Sequence, residues 1–185
     1  MTDRAVAERS LVRLLQMAYS AELAAFIAYH GHERSVRDAV EKAEIRRIAR
    51  QELHHRRVVG DLLAALGAAP SAARERWMTC IGRLIWISCF VGGWFVPMYG
   101  AGRLERNNIG EYETAARLAI AAGRPDFVDA CLEMAEVEWD HEAYFHAKAR
   151  SHPLSRVFPD WPDPPPRASI RAAFTAVVPE PVGVG

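Results

Sequence analysis

The chain has 185 residues, half of them apolar and a quarter charged, with 23 basic and 23 acidic side chains and a formal net charge of zero. That is enough for one domain with a full core and a short appendage. The balanced charge offers no broad polyanion-binding surface, so no nucleic-acid partner is expected. Arg46, Arg47, Arg50, Arg56 and Arg57 crowd one segment, but they alternate with glutamates as a solvated helix face does. Cys80, Cys89 and Cys131 are odd in number and form no Cys-x-x-Cys pair, which argues against a disulfide framework or a thiolate zinc site. The first ten residues mix acids and bases without an apolar run, so no signal peptide is expected and a cytoplasmic location is.

Leu11, Leu15, Ala18, Glu22, Ala25 and Tyr29 step by three and four, the stripe of a first amphipathic helix. Ile45, Ile48, Glu52, His55, Val59, Leu62 and Leu66 repeat the rhythm in a second. Asp38 with Glu41 predicts a capping box at its start, and Gly67 a stop. Residues 70–96 are too many for a tight hairpin and predict a long crossover.

That crossover opens into the most apolar stretch of the chain, with no charged residue from 84 to 102. A membrane span takes roughly 20 apolar residues, but Gly92, Gly93, Pro97, Gly100 and Gly102 interrupt this one. Buried core or docking at a membrane interface are therefore the two expectations for it. A third core helix follows with Glu105. Gly123-Arg124-Pro125-Asp126 then leads into a fourth, striped by Phe127, Cys131, Met134, Glu138, His141 and Phe145. Eight of the eleven prolines lie in residues 151–185. These predict an irregular tail wrapping the bundle or partly disordered, with room for one short helix at 168–178. The expected organisation is an all-α bundle over residues 1–150 and a proline-rich tail over 151–185.

Glu22, Glu52, His55, Glu105, Glu138 and His141 occupy positions that the apolar stripes reserve for burial. Glu52 and Glu138 each begin a Glu-x-x-His motif, and Glu22 and Glu105 each stand alone ahead of one. This alternation is that of ferritin-like di-iron or di-manganese four-helix bundles. A single Glu-x-x-His is weak; the strength lies in two of them on core stripes. Across each predicted hairpin, Glu22 stands level with Glu52, and Glu105 with Glu138.

Four buried carboxylates would repel unless protonated or neutralised by cations. Two divalent ions balance them, and two neutral imidazoles complete the set. Carboxylate and imidazole ligands suit iron, with manganese second. By spacing alone Glu111 rivals Glu105 as the third-helix ligand, and Glu113 is a weaker rival. His54 is turned about 100° from the ligand face. His30, His32 and His146 lack ligand spacing and are expected in solvent or around the ligands. Tyr29 and Tyr112, each seven residues after a solitary glutamate, are the candidates to hydrogen-bond near the metals or donate electrons.

Four segments resemble the motifs of the demethoxyubiquinone hydroxylases. They are Tyr19-Ser20-Ala21-Glu22-Leu23-Ala24-Ala25 with Tyr29 and Gly31, Gln51-Glu52-Leu53-His54-His55, Leu104-Glu105-Arg106 through Tyr112, and Glu138-Trp139-Asp140-His141-Glu142. The similarity spans roughly residues 11–150 and favours Glu105 over Glu111. It implies a carboxylate-bridged di-iron monooxygenase, with dioxygen as co-substrate, that hydroxylates a polyprenyl benzoquinone in ubiquinone biosynthesis. It also implies peripheral contact with the inner face of the cell membrane, where a lipid-soluble quinone is found. Glu22, Glu52, Glu105 and Glu138 would then be carboxylate ligands, Glu52 and Glu138 the bridging pair, and His55 and His141 imidazole ligands. Family members often carry a histidine where Glu111 stands here, and usually end in a membrane-associated helix rather than a proline-rich tail. No Gly-x-Gly-x-x-Gly follows a strand, so electrons are expected from an external donor or reductase. The alternatives are hydroxylation of another small apolar aromatic or a tRNA base, and a non-enzymatic iron-binding or ferroxidase bundle. Homo-oligomerisation is compatible with all of these.

Overall fold

A computed structural model describes residues 3–175, and among them every regular element is helical. In chain order these are α1 (Asp3–Ser35), α2 (Ala39–Ala65), α3 (Ala72–Val91), α4 (Phe95–Ala121), α5 (Val128–Ser151) and α6 (Ala168–Thr175). Short 3₁₀ turns occupy Pro125–Phe127 and Pro153–Arg156. The predicted stripes are the buried faces: Leu11 and Leu15 of α1, Ile45, Ile48 and Val59 of α2, and Cys131, Met134 and Phe145 of α5 are all sealed from solvent. Each such aliphatic or aromatic side chain contributes about 1.5–3 kcal/mol of transfer free energy.

The ends are set locally. The Asp38 side chain accepts from the Glu41 amide at 2.9 Å, which caps α2. Gly67 at φ +65° and Gly123 at φ +71° terminate α2 and α4, because the left-handed backbone there suits glycine.

α1 and α2 form one antiparallel hairpin, and α4 and α5 a second. α1 faces α4 across the core, and α2 faces α5. With this pairing α2 and α4 run the same way, so the chain must return along the bundle between them. α3 is that return: its 20 residues span about 30 Å at 1.5 Å per residue. The expected crossover is thus a full helix lying parallel to α1. A Cβ on Gly31 would meet the Trp86 carbonyl oxygen at 2.6 Å, and one on Gly82 the Ala24 carbonyl oxygen at 2.8 Å. These two glycines bring the backbones of α1 and α3 together.

The charge-free run 84–102 is not continuous helix. α3 ends at Val91, Gly93 turns the chain at φ +63°, and α4 starts at Phe95. The run divides its surface: Cys89, Phe95, Met98 and Ala101 enter the core, whereas Leu84, Ile87, Phe90, Val91 and Val96 face outward. α1 is long and apolar enough to cross a membrane by length and composition, but it carries one wall of the bundle core.

The tail lies along the bundle. Tyr99 donates to the Pro159 carbonyl at 2.7 Å, and Trp139 to the Pro165 carbonyl at 2.8 Å. Trp161 is seated against Gly102, and Ile170 and Phe174 of α6 are buried in the main core. The helix expected at 168–178 is α6 as far as Thr175; the remainder lies outside the described residues.

The α1–α3 approach predicts opposite outcomes at two glycines. Gly31→Ala should destabilise by about 1–3 kcal/mol through overpacking. Gly110→Ala, on an exposed part of α4 with nothing within 4 Å of the added carbon, should stabilise by roughly 0.5–1 kcal/mol. Urea melts of both variants check this, and equal effects would refute the close approach.

Candidate metal centre

Five side chains singled out by spacing, and Glu105, favoured over Glu111 by the resemblance, converge from four helices: Glu22 from α1, Glu52 and His55 from α2, Glu105 from α4, and Glu138 and His141 from α5. None is more than 4% exposed. Their oxygens and nitrogens fall into two groups, each with ligand atoms within 4.8 Å of one another. One is Glu22, Glu52, His55 and Glu138; the other is Glu52, Glu105, Glu138 and His141. Glu52 and Glu138 belong to both, so they are the carboxylates placed to be shared.

The contacts are reciprocal. His55 Nδ1 lies 2.9 Å from Glu138 Oε1, and His141 Nδ1 lies 3.2 Å from Glu52 Oε1, so each motif's histidine meets the other motif's glutamate. Tyr112 donates to Glu22 Oε1 and Tyr29 to Glu105 Oε1, so each half's tyrosine holds the other half's solitary glutamate. Between antiparallel helices with a seven-residue Glu-to-Tyr step on both sides, the register that makes one of these contacts makes the other.

Glu22 Oε2, both Glu52 oxygens, Glu138 Oε1, His55 Nδ1 and His141 Nδ1 are buried with no aligned hydrogen-bond partner. Buried polar atoms are nearly always paired. Six orphans pointing at one another is what a site built for cations presents, and the thiolate-free donor set fits oxygen- and nitrogen-seeking metals. This buried cluster can hold metal ions.

A layer of neutral groups orients the ligands. Asn108 Nδ2 donates to Glu105 Oε2 at 3.0 Å and reaches Glu138 Oε2 at 3.4 Å. Gln51 Oε1 accepts from Arg47 Nη1 at 2.5 Å and stands 2.9 Å from His141 Nε2. Arginine only donates, so this amide oxygen is fixed as an acceptor. His141 therefore carries a proton on Nε2, and its Nδ1 is the atom turned toward the carboxylates.

Without cations, burial pushes Glu52 and Glu105 well above the usual carboxylate range, and neighbouring carboxylate charge, that of Glu138 first, adds to the effect. Burial likewise raises Glu22. Burial works against ionised Glu138 too, but contacts from Glu105, His141 and His55 outweigh it and hold this carboxyl well below its usual range. Burial would lower His55, yet its contact with Glu138 prevails and raises it. Burial and the glutamate charges keep the phenols of Tyr29 and Tyr112 protonated, as donors to those glutamates.

The remaining sequence candidates stay apart. Glu111 is half-buried and belongs to neither group, and Glu113 pairs with Arg117 at 3.3 Å. His54 and His30 are exposed. His32 is buried and stacked on Tyr29, which donates to Glu105, so it lies around the ligands, and His146 is buried against Glu142 of α5. His146 sits between Glu142 and Asp160 at 3.0 Å to each, where it holds the tail. Spacing gave no sign of Gln51, which directly precedes a ligand and so points off its face. Asn108, three residues after Glu105, shares the ligand face and was legible there.

Beside the cluster a cavity of about 350 Å³ opens between α1, α3 and α4. Ala18, Ala21, Ala25 and Ala28 form one wall, Met78, Ile81 and Ile85 another, and Glu22, Glu105, Asn108 and Tyr112 the inner end. The size suits a small organic molecule. No family model, curated protein or solved structure matches the chain.

Two measurements test the centre. In metal-free protein the folded state keeps extra protons on Glu22, Glu52, Glu105 and His55, so it binds more protons than the unfolded chain and stability falls as pH rises. The lowered Glu138 acts only below the usual carboxylate range. The thermal midpoint of metal-free protein should therefore drop between pH 5 and pH 8. Divalent metal at about 1,000-fold over its Kd should raise the pH 8 midpoint by roughly 8–16 °C. A midpoint that climbs with pH and ignores metal would sink the assignment. In Co²⁺ titrations, Glu52→Gln should reduce two ions per chain to one or none, whereas Glu111→Gln should leave both.

Proposed function

We propose that the protein is a di-iron monooxygenase that hydroxylates a polyprenyl benzoquinone of the demethoxyubiquinone type, in ubiquinone biosynthesis. The observation that carries this reading is the apolar cavity ending on Glu22, Glu105 and Tyr112. It offers a ring-sized, water-poor space against the carboxylate end of the cluster. The four-motif resemblance supports the same substrate class. Iron rather than manganese is favoured by that resemblance, and the mixed carboxylate and imidazole donor set admits either metal.

When bound, a pair of irons supplies dioxygen activation, with electrons from a separate donor. The chain's own residues do the rest. Glu52 and Glu138 are placed to be shared, and His55 and His141 turn Nδ1 toward them. Tyr29, Tyr112 and Asn108 fix the carboxylate orientations, which keeps the centre from collapsing onto a polar ligand. Alanines of α1 and aliphatic residues of α3 exclude water from the ring. An apolar cavity favours an organic substrate over iron transit, which needs a polar path, and zero net charge disfavours tRNA.

The outer face of α3 supports delivery from a lipid surface. Trp77, Leu84, Ile87 and Val91 form an exposed apolar stripe, with Val91 87% exposed. Arg74, Arg76 and Arg83 flank it, and exposed Val96 and Leu104 border the cavity. Apolar and basic residues together suit the surface of an anionic bilayer.

Iron-loaded protein given demethoxyubiquinone in anionic vesicles, a chemical reductant and oxygen should form the hydroxylated quinone. Ile87→Glu should slow that turnover at least tenfold and leave a short-chain soluble analogue unaffected. Absence of product from both substrates with every reductant tried would remove the proposal.

A further inference from the structure

His32 is a buried polar residue whose ring is packed but whose Nε2 has no hydrogen-bond partner. It lies on α1 just past Gly31, is 2% exposed, and lines the cavity. Its ring is stacked against Tyr29 at 6.2 Å and Phe145 at 5.6 Å between centroids. Its Nε2 is buried with no hydrogen-bond partner. Burial alone lowers its pKa to about 3, so the imidazole is neutral at any physiological pH. An unmatched buried donor or acceptor is destabilising, and a leucine of similar bulk would fill the position without that cost.

The other polar groups around the cavity are mostly committed. The Tyr29 and Tyr112 hydroxyls and the Asn108 amide serve the glutamates, and Ser88 Oγ donates to the Ile85 carbonyl at 2.7 Å. Glu111 is half-buried. No lysine or arginine lines the space, so an anionic ligand would lose its hydration and find no side-chain counter-charge there. The geometry points to His32 as the hydrogen-bond anchor for an uncharged aromatic ring bearing oxygen, and so as a residue that selects neutral quinones or phenols over carboxylated rings. This rests on reading the cavity as the substrate site. A neutral imidazole carries both a donor and an acceptor, so it can bond a ring carbonyl or a ring hydroxyl.

The test is equilibrium binding to metal-loaded protein of three probes with the same short alkyl chain: a 1,4-benzoquinone, a benzene without oxygen, and a 4-hydroxybenzoate. Wild type should bind the quinone best and the benzoate at least tenfold more weakly. His32→Leu should lose about tenfold or more for the quinone and nothing for the alkylbenzene, and His32→Gln, which keeps a donor and an acceptor, should recover part of the loss. Equal losses for quinone and alkylbenzene, or no loss for either, would overturn the anchor while leaving the cavity as the binding site. Wild-type protein that binds none of the three would overturn the cavity reading itself, and the anchor with it.

Discussion

Four carboxylates gathered at the centre of a helical bundle are the constraint on which the rest of this structure depends. An unpaired buried charge costs several kcal/mol, while a whole domain is stable by only about 5–15 kcal/mol. The chain cannot hold Glu22, Glu52, Glu105 and Glu138 together as free anions. Protons or cations must neutralise them, and the surrounding groups decide which oxygens stay available. Tyr112 donates to one oxygen of Glu22 and leaves the other facing its neighbours, whereas Tyr29 and Asn108 hold both oxygens of Glu105. Gln51, itself fixed by Arg47, holds the His141 ring.

The reciprocal pairing of these groups also sets the topology. Each half of the chain provides one solitary glutamate, one Glu-x-x-His and one tyrosine, and neither half satisfies its own. Bringing Tyr29 to Glu105 and Tyr112 to Glu22 puts α1 against α4 in antiparallel register. Bringing His55 to Glu138 and His141 to Glu52 does the same for α2 and α5. The second and third core helices then run in one direction, so a connection as long as the bundle is unavoidable. α3 fills that role, and Gly31 and Gly82 let it settle directly on α1. The cavity lies where α3 and the start of α4 roof over the alanine-rich face of α1. The buried carboxylate and imidazole cluster and its neighbouring space are thus consequences of one arrangement.

The tail serves the helix that carries two of the ligands. Trp139 and Asp140 of α5 are tied to Pro165 and Arg167, and Trp161 donates to buried Glu142 Oε1 at 2.8 Å. Gly102 leaves room for the Trp161 ring, and α6 buries Ile170 and Phe174 beside the lower core. Proline removes backbone donors, so this segment cannot add to a helix, but its free carbonyls accept from tryptophan and tyrosine side chains.

By itself the sequence determined the four core helices, the caps at Asp38 and Gly67, and five of the six inward acids and imidazoles, with Glu111 left beside Glu105 for the sixth. A period of 3.6 residues projects directly onto burial, and a charged residue on an apolar stripe stands out against it. It also carried the seven-residue echo between Glu22 and Tyr29 and between Glu105 and Tyr112. The tertiary structure alone decided that those tyrosines cross over to the opposite glutamate, that the crossover is a helix packed through two glycines, and that Gln51 and His32 matter. Those facts depend on side chains from different helices meeting at one height, and spacing along a single helix holds no information about its neighbour across the core.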